Sequence, residues 1–198
     1  MTNEQRRSFR QRLLTLAAAS IGSLVASAVS FGTAIYHAAN PEPLHSAAPG
    51  ERVDTGQWHV TIGSARMSHL PPSGSEPFEP KTFLLIDFEA DNRSASTAYL
   101  PAKLLTFAIP ETELAPPTFY LVRDKAIGGG LHPGLPEKLT ATWEWPAGQV
   151  LPRELKLLIG SQIYKKRDNL YGASNWFDRD AVAVVPLTVA QKDGSADT

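Results

Sequence analysis

The stretch Leu139-Thr140-Ala141-Thr142-Trp143-Glu144-Trp145-Pro146 decides the fold class. Apolar Leu139, Ala141, Trp143 and Trp145 alternate with Thr140, Thr142 and Glu144. Successive side chains of an extended strand point to opposite faces of a sheet, so a period of two builds one apolar and one polar face. Pro146 has no N–H to give to a ladder and stops the strand. The reading predicts Trp143 and Trp145 on one face with Leu139 and Ala141, and Trp143 buried between two sheets.

The same grammar recurs on both sides. Trp58, Val60 and Ile62 alternate with His59, Thr61 and Gly63. Thr82 to Ala90 reads as a core strand, with Leu84, Ile86 and Phe88 on one face and Asp87 and Glu89 on the other. Leu104 to Ile109 and Thr118 to Arg123 are shorter strands, and Leu155, Leu157 and Ile159 mark another. Ala181 to Val189 is the last, where Pro186 implies an edge or a bulge. Pro71-Pro72-Ser73-Gly74-Ser75, Asp91-Asn92-Arg93-Ser94, Gly128-Gly129-Gly130 and His132-Pro133-Gly134 supply turns and loops. About seven short strands between Pro/Gly turns predict an all-β, two-sheet sandwich over residues 55–190.

Composition agrees. Hydrophobic residues are 42% and charged residues 20% of the 198, which suits a folded chain. The 16 prolines fit many turns. The absence of cysteine excludes a disulfide framework, a thiolate metal site, a thiol nucleophile and a lipid-bearing cysteine. The sandwich must therefore rest on its apolar core.

Upstream of the sandwich the pattern changes. Leu13 to Tyr36 carries no charge, a run of ~36 Å as a helix at ~1.5 Å per residue. A bilayer core of ~30 Å needs about 20 such residues. Arg6, Arg7, Arg10 and Arg12 flank it on the N-terminal side, and the next basic residue is Arg52. The positive-inside rule places residues 1–12 in the cytoplasm, a signal anchor over 13–37, and everything beyond outside the cytoplasm of a bacterium. Ala26-Ser27-Ala28 also fits a cleavage site, which leaves a cleaved signal peptide as the competing reading, and Arg6-Arg7-Ser8-Phe9 partly resembles a twin-arginine export signal. The full spanning length favours the anchor. Ala18, Gly22, Ala26, Ser30 and Ala34 make a small-residue stripe that lets two membrane helices approach closely. Residues 38–54, which contain the helix-ending Asn40-Pro41-Glu42-Pro43, read as a linker, and 191–198 as a polar tail.

Gly56-Gln57-Trp58-His59-Val60-Thr61-Ile62, then Phe83-Leu84-Leu85-Ile86-Asp87-Phe88 running into Asp91-Asn92-Arg93-Ser94, then Leu131-His132-Pro133-Gly134 and Trp143-Glu144-Trp145-Pro146, follow one another behind the anchor. This order resembles the small immunoglobulin-like domains of unknown function carried by bacterial anchored proteins and lipoproteins. The resemblance covers roughly Thr55 to Val189, consists of strand-and-turn grammar, and lacks the lipoprotein cysteine. It implies an immunoglobulin-like binding or assembly module and carries over no catalytic residue.

No P-loop, HExxH, GxSxG or dinucleotide fingerprint occurs, so no cofactor and no enzymatic activity are expected. His37, His45, His59, His69 and His132 show no metal-ligand spacing, and His59 reads as solvated on a polar strand face. Asp87 and Glu89 form a carboxylate pair at i, i+2 that reads as a solvent face. Asn92-Arg93-Ser94 fits a glycosylation acceptor or a turn. With the arginine flank set aside, acidic residues outnumber basic ones, which speaks against nucleic acid as a partner. The segment Tyr164 to Asp178 reads as a recognition loop, in which Lys165, Lys166 and Arg167 precede Tyr171, Trp176 and Phe177. The alternative is that Trp176 and Phe177 plug the open end of the sandwich. The sequence thus predicts a membrane-anchored periplasmic module that docks an envelope protein or self-associates through its membrane helix; the alternative is an anchored domain for a soluble glycan or anion. A concave apolar pocket with converging polar groups would favour the second.

Overall fold

The computed structural model describes residues 27, 29–36, 43–107, 114–168 and 172–190, in two compact units, Met1–Pro43 and Leu44–Thr198. In the first, residues 29–36 are helical, and Val29, Phe31, Ile35 and Tyr36 are exposed. Ser30 and Ala34 of the small-residue stripe lie on this helix, while Ala18, Gly22 and Ala26, the arginine flank and residues 191–198 lie outside the described residues. No helix among the described residues is long and apolar enough to cross a membrane.

The second unit begins at Leu44, eleven residues before the boundary expected at Thr55. Two short strands stand where the sequence suggested a linker: β1 (His45–Ser46) and β2 (Arg52–Asp54). The seven expected strands follow as β3 (Trp58–Ser68), β4 (Thr82–Asn92), β5 (Leu105–Phe107), β6 (Thr118–Leu121), β7 (Glu137–Trp145), β8 (Glu154–Lys165) and β9 (Asn175–Ala190). Periodicity alone missed β1 and β2 because two or three residues carry no period. Their pairing is tertiary: β1 runs parallel to β9 at Ala183 and Val184, and β2 pairs with β3 from Arg52↔Thr61 to Asp54↔His59.

The strands form one curled sheet in the order β5-β8-β9-β3-β4-β7-β6. It folds into two layers, β5-β8-β9 and β3-β4-β7-β6, joined where the end of β9 lies parallel to β3 (Ala65↔Val189, Arg66↔Ala190). Apolar faces of both layers share one core. Trp58, Ile62, Leu84, Ile86, Leu139 and Trp143 come from one layer, and Leu105, Leu157, Ile159, Ala183, Val185 and Leu187 from the other. Trp143 meets Phe107 edge-on across the layers at 4.8 Å. The alternation in β7 is met, with Leu139, Ala141, Trp143 and Trp145 all buried. Leu85, Thr140 and Thr142 on the opposite face are buried too. Pro186 fits its strand because β9 has partners on its second flank at 183–184 and 189–190 but none between, which makes the proline locally an edge residue.

The reading of one residue is corrected, and that of another is decided between its alternatives. His59 is 15% exposed rather than solvated. It is flanked by the carboxylates of Asp54 (3.7 Å) and Asp91 (3.8 Å) and by the guanidiniums of Arg52 and Arg93. For Asn92 the turn alternative fits, and the glycan acceptor does not. Its side-chain amide is buried, donating to Ser96 O (2.9 Å) and Leu131 O (2.8 Å) and accepting from Ser94 N (2.9 Å) and Ser94 Oγ (2.7 Å).

Candidate functional site

A cavity of about 690 Å³ lies along the outward face of the β3-β4-β7 layer. The register builds its floor. Thr61, Glu89 and Lys138 stand side by side across the three strands, and Asp87 and Thr140 form the next row. Gly50, Pro72, Val122 and Lys125 form the walls.

A β-bulge shapes one end. The pairing of β3 with β4 slips between Ile62 and Ala65. One extra residue re-aims the side chains that follow it. Gly63 sits at the slip with its α-carbon against β4, where a Cβ would stand 3.0 Å from Asp87 O. Within the slip, Ser64 Oγ donates to Asp87 Oδ2 at 3.3 Å, and beyond it the Arg66 guanidinium pairs with the same oxygen. From β7, Thr140 Oγ1 donates to Asp87 Oδ1 at 2.8 Å. Both oxygens of Asp87 are thus engaged, and the group holds the site together. Among the described residues, Glu89, Lys125 and Lys138 have no ion pair.

The carboxylate pair Asp87 and Glu89 therefore does share a face, as the sequence implied, but that face is a cleft. Arg66, Lys125, Lys138 and Thr140 were missed because they come from three separate segments, β3, the turn after β6, and β7. One local signal was available. The apolar alternation of Trp58, Val60 and Ile62 resumes out of phase at buried Ala65, with Gly63 between, and an isolated glycine at a phase break marks a bulge.

The basic-aromatic segment is a β-hairpin rather than a long loop. Lys165 ends β8, Trp176 lies at the start of β9, and only 166–174 connect them. Lys165, Lys166 and Arg167 are exposed, and Tyr171 lies outside the described residues. Pairing splits the expected patch. Tyr164 opposes Trp176 with ring centroids 5.3 Å apart, whereas Lys165 shares the other face with Phe177, its Nζ 4.7 Å from the ring. The Trp176 ring reaches Gly56 in the turn before β3. Gly56 has φ +94, and a Cβ there would stand 2.1 Å from Gln162 O, so only glycine lets the turn close on β8. Gln162 N donates to Thr55 O at 2.7 Å, and Trp58 Nε1 to Gln162 Oε1 at 3.0 Å. Half-buried Trp176 is part of this closure.

Among the described residues no group of His, Asp or Glu has metal-site geometry. Fold and site together define a β-sandwich domain with a cleft on one outer face. No protein-family model and no curated protein matches the chain. Among solved structures, an uncharacterized β-sandwich protein from Clostridium difficile 630 is similar, with 10% identity and a TM-score of 0.44, over 75% of this chain and 99% of that one.

Proposed function

We propose that the chain is an immunoglobulin-like binding module that seats a small ligand in the cleft above Asp87 and Thr140, held outside the cytoplasm by its N-terminal segment. The observation that carries the reading is the cleft itself. Binding sites for small molecules are concave, of about 300–1,000 Å³, mainly apolar, with a few placed polar groups. Here Val122, Pro72 and the stems of long side chains surround a preformed network on Asp87. The strand order supports the immunoglobulin-like reading: β3-β4-β7-β6 and β5-β8-β9 follow the four- and three-strand sheets of constant-type domains. The exposed Val29, Phe31, Ile35 and Tyr36 on a helix support an anchor, since lipid would cover such a face. No catalytic step is assigned, because both oxygens of Asp87 are already engaged in holding Ser64, Arg66 and Thr140.

The test is titration of the full-length, ¹⁵N-labelled protein in detergent with water-soluble aromatic fragments. Amide shifts should gather at Thr61, Gly63, Glu89 and Lys138. They should vanish in Thr61→Trp, which fills the cleft from a strand position that accepts an aromatic side chain. Shifts scattered over the domain, or unchanged in Thr61→Trp, would sink the proposal.

A further inference from the structure

We infer that the cleft selects ligands bearing a single carboxylate on an apolar body, with Lys125 and Lys138 gripping the carboxylate. This deepens the reading just proposed and rests on it. The cleft is lined by three cations, Arg66, Lys125 and Lys138, and by two carboxylates, Asp87 and Glu89. Arg66 is committed to Asp87. The surplus is one positive charge, which a monoanion neutralises, whereas a dianionic phosphate would also face Glu89.

The two lysines are set at one rim. Val122 N donates to Lys138 O at 3.0 Å, which ties the turn after β6 to β7, and Lys125 N donates to Leu121 O at 2.9 Å within that turn. Two of the acids nearby are already occupied, and Glu89, the cross-strand neighbour of Lys138, forms no ion pair with it. Glu137 pairs with Arg123 at 2.6 Å, Asp124 pairs with Arg123 at 3.6 Å, and Asp124 Oδ1 also accepts Ala126 N at 3.0 Å. Neither ammonium has an ion pair among the described residues, which leaves both open to an outside anion. Lys125 is moreover the one non-glycine residue with positive φ, 56°, among the described residues. Such a conformation costs a side-chain-bearing residue free energy, and a glycine would hold the same turn more easily. The fold keeps a lysine at this point of the rim instead.

The test compares 4-phenylbutyrate with its neutral isostere 4-phenylbutyramide on full-length protein in detergent, read by the cleft amides. The acid should bind about tenfold more tightly, and 0.5 M NaCl should weaken the acid alone, because exposed charges are screened within a few ångströms at that salt. Lys125→Gly should raise Tm by relieving the positive φ while weakening the acid about three- to tenfold. Lys138→Gln should weaken it similarly, and neither variant should change the amide. A gain in stability with a loss of binding cannot come from unfolding. Equal binding of acid and amide at the cleft overturns the carboxylate preference and leaves the cleft reading standing. A preference that survives in both variants overturns the lysine grip. If neither probe moves the cleft amides, both readings fall.

Discussion

Asn92 shows how much one side chain organises. In the sequence it belongs to a turn motif, and its partner motif Leu131-His132-Pro133-Gly134 lies some forty residues away. In the structure the two meet. The carboxamide donates to Leu131 O, Gly134 N donates to Asn92 O at 3.0 Å, and Asn92 bridges to Pro133. With Asn92 only 1% exposed, water cannot replace these bonds. Asn92→Ala removes four hydrogen bonds and leaves Ser94 N without its acceptor, while Leu131 O keeps Ala98 N and Ser96 O keeps Ser94 Oγ, so urea unfolding should show a loss of about 1–3 kcal/mol. A loss below about 0.5 kcal/mol would mean the connection holds without it. The pairing was not legible beforehand, because a turn residue's hydrogen-bond partners depend on which distant loop folds back over it.

At the scale of elements, the strands were legible and the hairpin was not. The alternation in β3, β4, β7 and β9 located each strand because one face of each had to be apolar. Between Tyr164 and Phe177 the basic and aromatic residues mask any period, so the run read as a loop. Cross-strand pairing of Ile163↔Phe177 and Tyr164↔Trp176 carries the ladder through it. The three cations at its end are exposed, and exposed charges contribute ~0–1 kcal/mol even when paired. Changing Lys165, Lys166 and Arg167 together to Ser should leave Tm within about 2 °C of the parent. A large drop would show that these side chains pack or pair inside the fold. If the tip also grips an acidic partner or glycan, capture by the triple variant should fall while fragment binding in the cleft stays intact.

At the scale of the whole molecule, the basic flank and the uncharged run define the proposed topology. A periplasm-active reporter fused after Thr198 should work and a cytoplasm-active one should not, because lysines and arginines bias orientation inward. The full-length chain should also stay with the membrane after carbonate washing. The opposite reporter pattern would remove the extracytoplasmic setting. A soluble mature chain starting near Val29 would favour the cleaved signal peptide. Either result leaves the cleft untouched, since every residue lining it lies between Gly50 and Thr140.

The sequence by itself determined the all-β class, the seven principal strands, the buried face of β7 and the side of β4 on which Asp87 and Glu89 stand. These follow from local rules, namely the period of the strand, the missing N–H of proline and the need to bury apolar faces. Only the tertiary structure decided that β1 and β2 pair, that the two layers join through β9 and β3, and that His59 sits among charges. It alone decided that the outer face of β4 is a cleft. That cleft depends on a register slip at Gly63, on Thr140 arriving beside Asp87, and on a turn that carries Lys125 to the rim of another strand. Each of these is a contact between different segments of the chain, and no local pattern encodes which segments will meet.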